Sequence, residues 1–445
     1  MKSRTEKKAP LVAERPPTTL RAYRALSILA TPFAPLLLAR RLSRGKEHRT
    51  RVAERRGEST VARPPGPLVW VHGASVGELA SAVPLIERIR ARNLNLLVTT
   101  GTVTSAGVAE QRLSRGVIHQ FVPLDAPRFV RRFIQHWQPD LALFVESDLW
   151  PNLTMEAAAD GVPLILVNGR LSDSSYRRWR RFPRTIASLL ARFDLCLART
   201  QVDASRYDEL GAPRVITTGN LKLDAPAPPA DAAVLSALQS ITHGRPVIAA
   251  ASTHPGEETM VIEAHRRLRA RFPGLLTMLA PRHPERGPDI GELAAGAGLN
   301  VALRSLRQRP EKTTDFYVAD TMGELGLLYR LAPIVFMGGS LVPHGGQNPI
   351  EAAKLGAAIL HGPQVSNFEE IYAALDAAHG AEKVADVKEL AARIADWLTN
   401  PTARTRAAET ARATVESLGG ALEQTMHALD PYLLQLRLGQ RARHA

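Results

Sequence analysis

The sequence predicts an α/β protein built from two parallel-sheet domains, and three observations carry that prediction. Beyond residue 66, short β-type runs alternate with segments of helical period, the pattern of a parallel sheet covered on both faces. At residues 224–232 a proline-rich stretch, DAPAPPADA, breaks that texture as interdomain linkers do. The alternation then restarts over a span of similar length. A chain of 445 residues also exceeds what one hydrophobic core usually serves. The expected boundaries are a basic arm at 1–50, a first Rossmann-like domain at 51–223, the linker at 224–232 and a second Rossmann-like domain at 233–430.

The arm comes first. Residues 1–56 hold 15 Lys/Arg and 4 Asp/Glu, a surplus of 11 out of the chain's net +14. Basicity concentrated in one arm argues against a nucleic-acid-binding body. Within it, residues 25–39 read ALSILATPFAPLLLA, flanked by arginines and a lysine. Fifteen residues with two prolines fall short of the roughly 20 that a spanning helix needs. No convincing cleavage site follows, so a secretory signal is not expected. An apolar plug between basic flanks suits a monotopic anchor on an anionic leaflet, or else a helix that caps the first domain. The stretch at 1–19 reads as an extension without assigned function. Composition fits a globular protein, with 45% hydrophobic and 22% charged residues. A single cysteine, Cys196, excludes an internal disulfide.

Strands are expected at 68–72, 95–99, 116–122, 141–146, 164–167 and 195–198 in the first domain. In the second they are expected at 246–251, 275–280, 301–303, 316–318, 334–337 and 357–360. Open α/β sheets bind ligands beyond the carboxyl ends of their strands, here in a cleft between the domains. The turns that follow strands are therefore the candidate sites. In VHGASVGE (71–78), Glu78 opens a helix behind a glycine turn, with Ser75 before it. It serves either as a helix cap or as a base aimed at a hydroxyl. In FVESDLWPN (144–152), Glu146 ends an apolar strand and Asp148 follows, as cap or as polar site group. Residues 167–184, VNGRLSDSSYRRWRRFPR, hold six arginines, including Arg170, Arg177 and Arg178. They form a solvated face or a surface for a phosphorylated acceptor.

In the second domain, Ser252 and Thr253 lead into a helix start ready for an anion. Arg282, next to His283, follows another strand and can fork onto a phosphate. Met322, Gly323 and Glu324 stand at a further helix start. FMGGSLVPHGGQNPIEAAKLG (336–356) offers two glycine pairs, Asn348 and Glu351, with free amides suited to a phosphate and a ribose diol. His254, His283, His344 and His361 are scattered along the chain without metal-ligand spacing. No Walker A loop or strand-linked GxGxxG is present.

Together HGASVGE, FVESDLWPN, NGRLS, GNLK (219–222), STHPGEE, PRHPER and GGSLVPHGGQNPIEAA resemble the 3-deoxy-D-manno-octulosonic acid (Kdo) transferases of lipopolysaccharide assembly, from about residue 51 to 372. The resemblance implies a GT-B glycosyltransferase, two Rossmann-like lobes around a cleft with an N-terminal membrane-associating segment. It implies inverting transfer of Kdo from CMP-Kdo to the 6′-hydroxyl of a lipid A precursor at the cytoplasmic face of the inner membrane, without a metal or other cofactor. The implied roles are Glu78 as base, Glu146 and Lys222 at the reacting sugar, and Arg282 with His283 at the donor phosphate. Ser252, Thr253, Met322, Gly323, Glu324, Asn348 and Glu351 would hold the nucleotide. Ser75, Arg170, Arg177 and Arg178 would meet the acceptor, and the anchor would meet anionic lipids; no nucleic acid is implied. The alternatives are a sugar-nucleotide epimerase on the same two-lobed fold and a non-enzymatic basic membrane or nucleic-acid binder.

Overall fold

The computed structural model describes residues 16–146 and 149–444, with side chains through residue 438. The expectation for Asp148 and most of that for residues 1–19 lie outside them. The chain forms two compact units, 1–225 with 419–445 and 226–418.

The first unit holds a parallel sheet of seven strands: β1 (Leu68–His72), β2 (Asn95–Thr100), β3 (Ile118–Phe121), β4 (Leu141–Val145), β5 (Leu164–Gly169), β6 (Leu195–Ala198) and β7 (Val215–Thr217). Their order is β3-β2-β1-β4-β5-β6-β7, so the winding direction reverses between β1 and β4. Strands β1 and β4 are buried along their whole length. That burial explains why both read as continuous apolar runs rather than alternating ones. Trp70, Phe133, Phe144 and Trp137 build the core on one face, while Val69, Leu85, Leu143 and Leu429 build it on the other.

The second unit repeats the plan with β8 (Val247–Thr253), β9 (Leu276–Pro281), β10 (Val301–Leu303), β11 (Phe316–Val318), β12 (Ile334–Met337), β13 (Ala358–His361) and β14 (Ala381–Lys383). The order is β10-β11-β9-β8-β12-β13-β14, with reversal between β8 and β12. All twelve expected strands are present. The edge strands β7 and β14 were not expected.

Two expectations are corrected. The first is the C-terminal boundary: residues 419–430 were assigned to the second domain. The helix Ala421–His444 instead belongs to the first unit, where Met426, Leu429 and Leu433 are buried against β1 and the helix that follows it. Asp224 fixes that return by accepting from the amides of Gly420 (2.8 Å) and Leu422 (2.7 Å). The second is the apolar arm, which was taken as too short to span. Helix α1 (Thr18–Ala30), a 3-10 turn (Thr31–Phe33) and helix α2 (Ala34–Ser43) form one 26-residue helical run, long and apolar enough to cross a membrane by length and composition. Pro32 and Pro35 fall at the starts of the 3-10 turn and of α2, where the missing N–H costs little.

Candidate active site

In the first unit, two carboxylates stand at the ends of the strands that flank the reversal. Helix α3 (Val76–Arg90) begins directly behind β1, with Ser75 as its N-cap. The Glu78 carboxylate folds back onto the turn. Oε2 accepts from the Ala74 amide (2.7 Å) and Oε1 from the Ser75 hydroxyl (2.9 Å). Glu78 thus braces the turn that opens α3. Close packing of the β1 and β2 turns requires a glycine at 101, where a Cβ would meet the Ala74 oxygen at 2.9 Å.

Glu146 follows β4 in the left-handed region (φ 63°), and Asn168 at the end of β5 shares that conformation (φ 56°). Such backbone costs of order 1–3 kcal/mol at a non-glycine residue and clusters where function requires it. Glu146 and Lys222, 76 positions apart, form a 2.6 Å ion pair with side chains 16% and 19% exposed. The one-turn helix Leu221–Asp224 that carries Lys222 is held at its start by two asparagines. Asn220 Oδ1 accepts from the Lys222 amide (3.1 Å) and Asn168 Oδ1 from the Leu221 amide (3.1 Å). Asn168 Nδ2 and Thr218 Oγ1 are buried without a hydrogen-bond partner. Arg170 is half-buried behind β5, and Arg177 and Arg178 are exposed on the helix Asp173–Trp179.

In the second unit the loops after β8 and β12 meet around one residue. Glu257 is fully buried. Its Oε2 accepts from the amides of His254 (2.9 Å) and Gly339 (2.7 Å), and its Oε1 from those of Ser340 (3.0 Å) and Leu341 (3.0 Å). Gly338 is required by this approach, since a Cβ there would meet the Ser252 oxygen at 2.5 Å. Residues 336–356 were expected to offer free amides. Instead, those of residues 339–341 bind Glu257, and those of Gly346 and Gln347 bind the carbonyls of Gly339 (2.7 Å) and Gly338 (3.1 Å). The helix Glu257–Leu268, expected to be ready for an anion, carries its own in its first turn.

The histidines described as scattered are so only in sequence. His254 stacks on His344 (centroids 4.1 Å apart, 21°) and meets His283 edge-on at 6.3 Å. Its Nε2 lies 2.9 Å from Gln347 Nε2. Burial, then the neighbouring His344, His283 and Arg282, push His254 down to about 4. Arg282 is tied to the β8 turn by its amide, which donates to the Thr253 carbonyl (2.9 Å), and its side chain is exposed beside that of His283. Ser252 has φ 56° and Thr253 is fully buried. Met322 is 59% exposed at the tip of the β11 loop, beside Gly323 (φ 87°). Glu324 accepts from Arg304 (3.0 Å) and from the Thr321 hydroxyl (2.9 Å), so it braces that loop. Asn348 Oδ1 accepts from the Ile350 amide (3.1 Å) at the start of the helix Ile350–Lys354, which carries the half-buried Glu351. Among the described residues no group of three His, Cys, Asp or Glu side chains is placed to hold a metal ion.

Sequence reasoning missed Glu257 and Asn168. Glu257 sits beside Glu258 in the same first turn, and only contacts distinguish them: Glu258 pairs with Arg286 at 2.6 Å. Asn168 lay inside a recognised motif, but its left-handed backbone leaves no trace in sequence.

The two-unit plan recurs in solved structures. A putative UDP-N-acetylglucosamine 2-epimerase from Listeria monocytogenes is 15% identical, with TM-score 0.58 over 83% of this chain and 97% of that one. A glycosyltransferase from Rickettsia africae is 11% identical, with TM-score 0.55 over 83% and 99%. At these identities the likeness defines the fold class, GT-B. Sequence comparison narrows it. Residues 49–225 match the family model described as 3-deoxy-D-manno-octulosonic-acid transferase (kdotransferase). The chain is 32% identical to the 3-deoxy-D-manno-octulosonic acid transferase of Haemophilus influenzae over 92% of its own length and 98% of that protein. It is 37% identical to that of Bordetella pertussis over 84% and 90%. The chain belongs to the 3-deoxy-D-manno-octulosonic acid transferase family and is a glycosyltransferase.

Proposed function

We propose that the protein transfers Kdo from CMP-Kdo to the 6′-hydroxyl of a lipid A precursor, with inversion, at the cytoplasmic face of the inner membrane. The observation that carries this reading is the pair of acids at the reversal of the first sheet, Glu78 behind β1 and Glu146, ion-paired with Lys222, behind β4. Glu78 takes the proton of the attacking hydroxyl. Base catalysis of this kind is worth roughly 10²–10⁴ in rate. Glu146 and Lys222 hold the sugar, with the lysine toward its carboxylate. In the second unit, Arg282 and His283 face the departing cytidylate. Ser252, Thr253, Met322, Gly323, Glu324, Asn348 and Glu351 lie on the loops that hold the nucleotide. Fixed donors aimed at a developing anion contribute roughly 3–4 kcal/mol each when well placed. Ser75, Arg170, Arg177 and Arg178 meet the phosphorylated acceptor.

Helices α1 and α2 supply the anchor, lying on anionic lipid rather than crossing it. Leu20, Ala34 and Leu38 are buried against the first unit, with Tyr23 bonded to Asp125 (2.9 Å) and Arg24 paired with Glu156 (2.6 Å). These positions recur at helical spacing along the whole run, so one stripe is docked from end to end. Leu26, Leu29, Phe33 and Leu36 on the remaining surface are 65–72% exposed. A half-docked helix with an apolar outer face suits the bilayer interface.

The test is mass spectrometry of the products from purified protein, CMP-Kdo and a tetra-acylated lipid A precursor. The expected outcome is acceptor mass increased by Kdo units. Glu78→Gln is expected to bind donor as the parent does and to lose at least ~10²-fold in kcat. Donor turnover in the absence of acceptor would favour an epimerase instead, and full activity of the variant would remove Glu78 as base.

A further inference from the structure

Three loops that follow β8, β9 and β12 bring together imidazoles from positions 254, 283 and 344, with the Arg282 guanidinium beside them. All three loops leave the carboxyl edge of one sheet, and two of them flank its reversal. The acids that face this cluster are largely engaged elsewhere. Glu257 is bound to four amides, and Glu258 is paired with Arg286. Glu285 stands 3.8 Å from His283 and is largely exposed, so water screens it. From the β12 loop the remaining partner of His254 is the neutral Gln347.

Two imidazoles stacked at 4.1 Å repel one another when both are charged. Without an anion, charge on both stacked rings of the cluster at once is therefore disfavoured, and His254 is pushed down by burial and these neighbours. An anion placed against it reverses the balance, because an opposite charge favours the protonated imidazole. We infer that His254, His283 and His344 form a proton-coupled anion site, which takes up a proton when the phosphodiester of a nucleotide sugar binds. The inference rests on the proposed donor role of the second unit and adds what that role does not require. It also gives the phosphate a seat that replaces the loop amides spent on Glu257.

The experiment is isothermal titration of the full-length chain with cytidine 5′-(methyl phosphate), a phosphodiester whose own charge is constant between pH 6 and 8. One proton taken up gives at most a tenfold change in Kd per pH unit. The expected result is binding about tenfold tighter at pH 6 than at pH 8. Its heat should depend on the buffer's ionisation enthalpy. His344→Asn, at an exposed position, and His254→Asn should each flatten the pH dependence. Should His254→Asn fail to fold, the exposed variant decides. Equal affinity at both pH values, or an unchanged slope in His344→Asn, overturns this inference and leaves the donor reading standing. No binding at either pH removes both.

Discussion

At Glu257 a carboxylate that solvent does not reach terminates four backbone N–H groups drawn from two separate loops. Only an ionised acid has the acceptor capacity for this, because a carboxylate carries no proton and offers about four lone-pair sites. Glutamine at 257 would keep one acceptor oxygen and turn an NH2 group toward amides that also donate. Glu257→Gln is accordingly expected to lower the unfolding free energy of the second unit by roughly 2–4 kcal/mol, the cost of leaving about two buried donors unpaired. It should also weaken CMP binding, since the same bonds shape the two loops proposed to hold the nucleotide. Urea unfolding followed beside calorimetric titration checks this, and an unchanged midpoint would contradict it. The residue scale is also where the sequence was least legible. The strand-end rule pointed to Glu78 and Glu146 and the family resemblance to Lys222, but the 2.6 Å pairing of the last two depends on how Asn168 and Asn220 set a one-turn helix. Glu257 and Glu258 are chemically identical neighbours whose fates diverge only through contacts.

Among the elements, the buried strands were legible because a parallel sheet covered on both faces leaves continuous apolar runs in sequence. The edge strands Val215–Thr217 and Ala381–Lys383 have three residues each and only partial burial, so they leave no comparable run. The arm was misjudged in length for a different reason. Its prolines read as breaks, whereas each falls at a helical start that tolerates it. The docked stripe through Leu20, Tyr23, Arg24, Ala34 and Leu38 leaves Leu29 and Leu36 on the outer face, 70% and 72% exposed. Each leucine transferred to an apolar environment contributes roughly 1.5–3 kcal/mol. Replacing both with glutamate, Leu29→Glu with Leu36→Glu, should therefore reduce partitioning onto anionic vesicles by at least about 10²-fold. Kdo transfer to detergent-dispersed acceptor should persist, because the docked stripe is untouched. Vesicle co-sedimentation together with that assay separates the two effects; unaltered sedimentation would mean that the exposed face does not meet lipid.

At the scale of the whole molecule, periodicity indicates that a helix is amphipathic but not which surface it covers. Residues 419–430 were therefore assigned to the wrong unit, although the helix Ala421–His444 packs in the first one. Both units share a chemical property as well: each encloses two histidines kept neutral chiefly by burial. His72 and His119 in the first unit are pushed down to about 4 and about 3. His254 and His265 in the second are each pushed down to about 4. Hydrogen bonds agree with neutral rings. Trp70 Nε1 donates to the Thr99 hydroxyl (2.8 Å), which leaves that hydroxyl's proton for His72 Nδ1 (2.9 Å). Arg51 donates to His119 Nδ1 (3.0 Å), which must then accept. The folded-state pKa values all lie below the ordinary 6.5, so the unfolded chain binds these protons first as pH falls. The stability they supply is complete above about pH 6.5 and is lost progressively toward pH 4. Each contributes a slope of up to about 1.4 kcal/mol per pH unit, or roughly 2.7 for the pair in a unit. Most carboxylates titrate lower, so the interval from pH 6.5 to 5 isolates the histidines. Denaturant midpoints should fall across that interval in both units. His265→Gln, which retains a polar partner for the Thr277 hydroxyl at 2.8 Å from His265 Nδ1, should remove about one proton's share of the slope in the second unit alone. A stability that stays level from pH 7.5 to 5 would show that these rings are not held neutral by the fold.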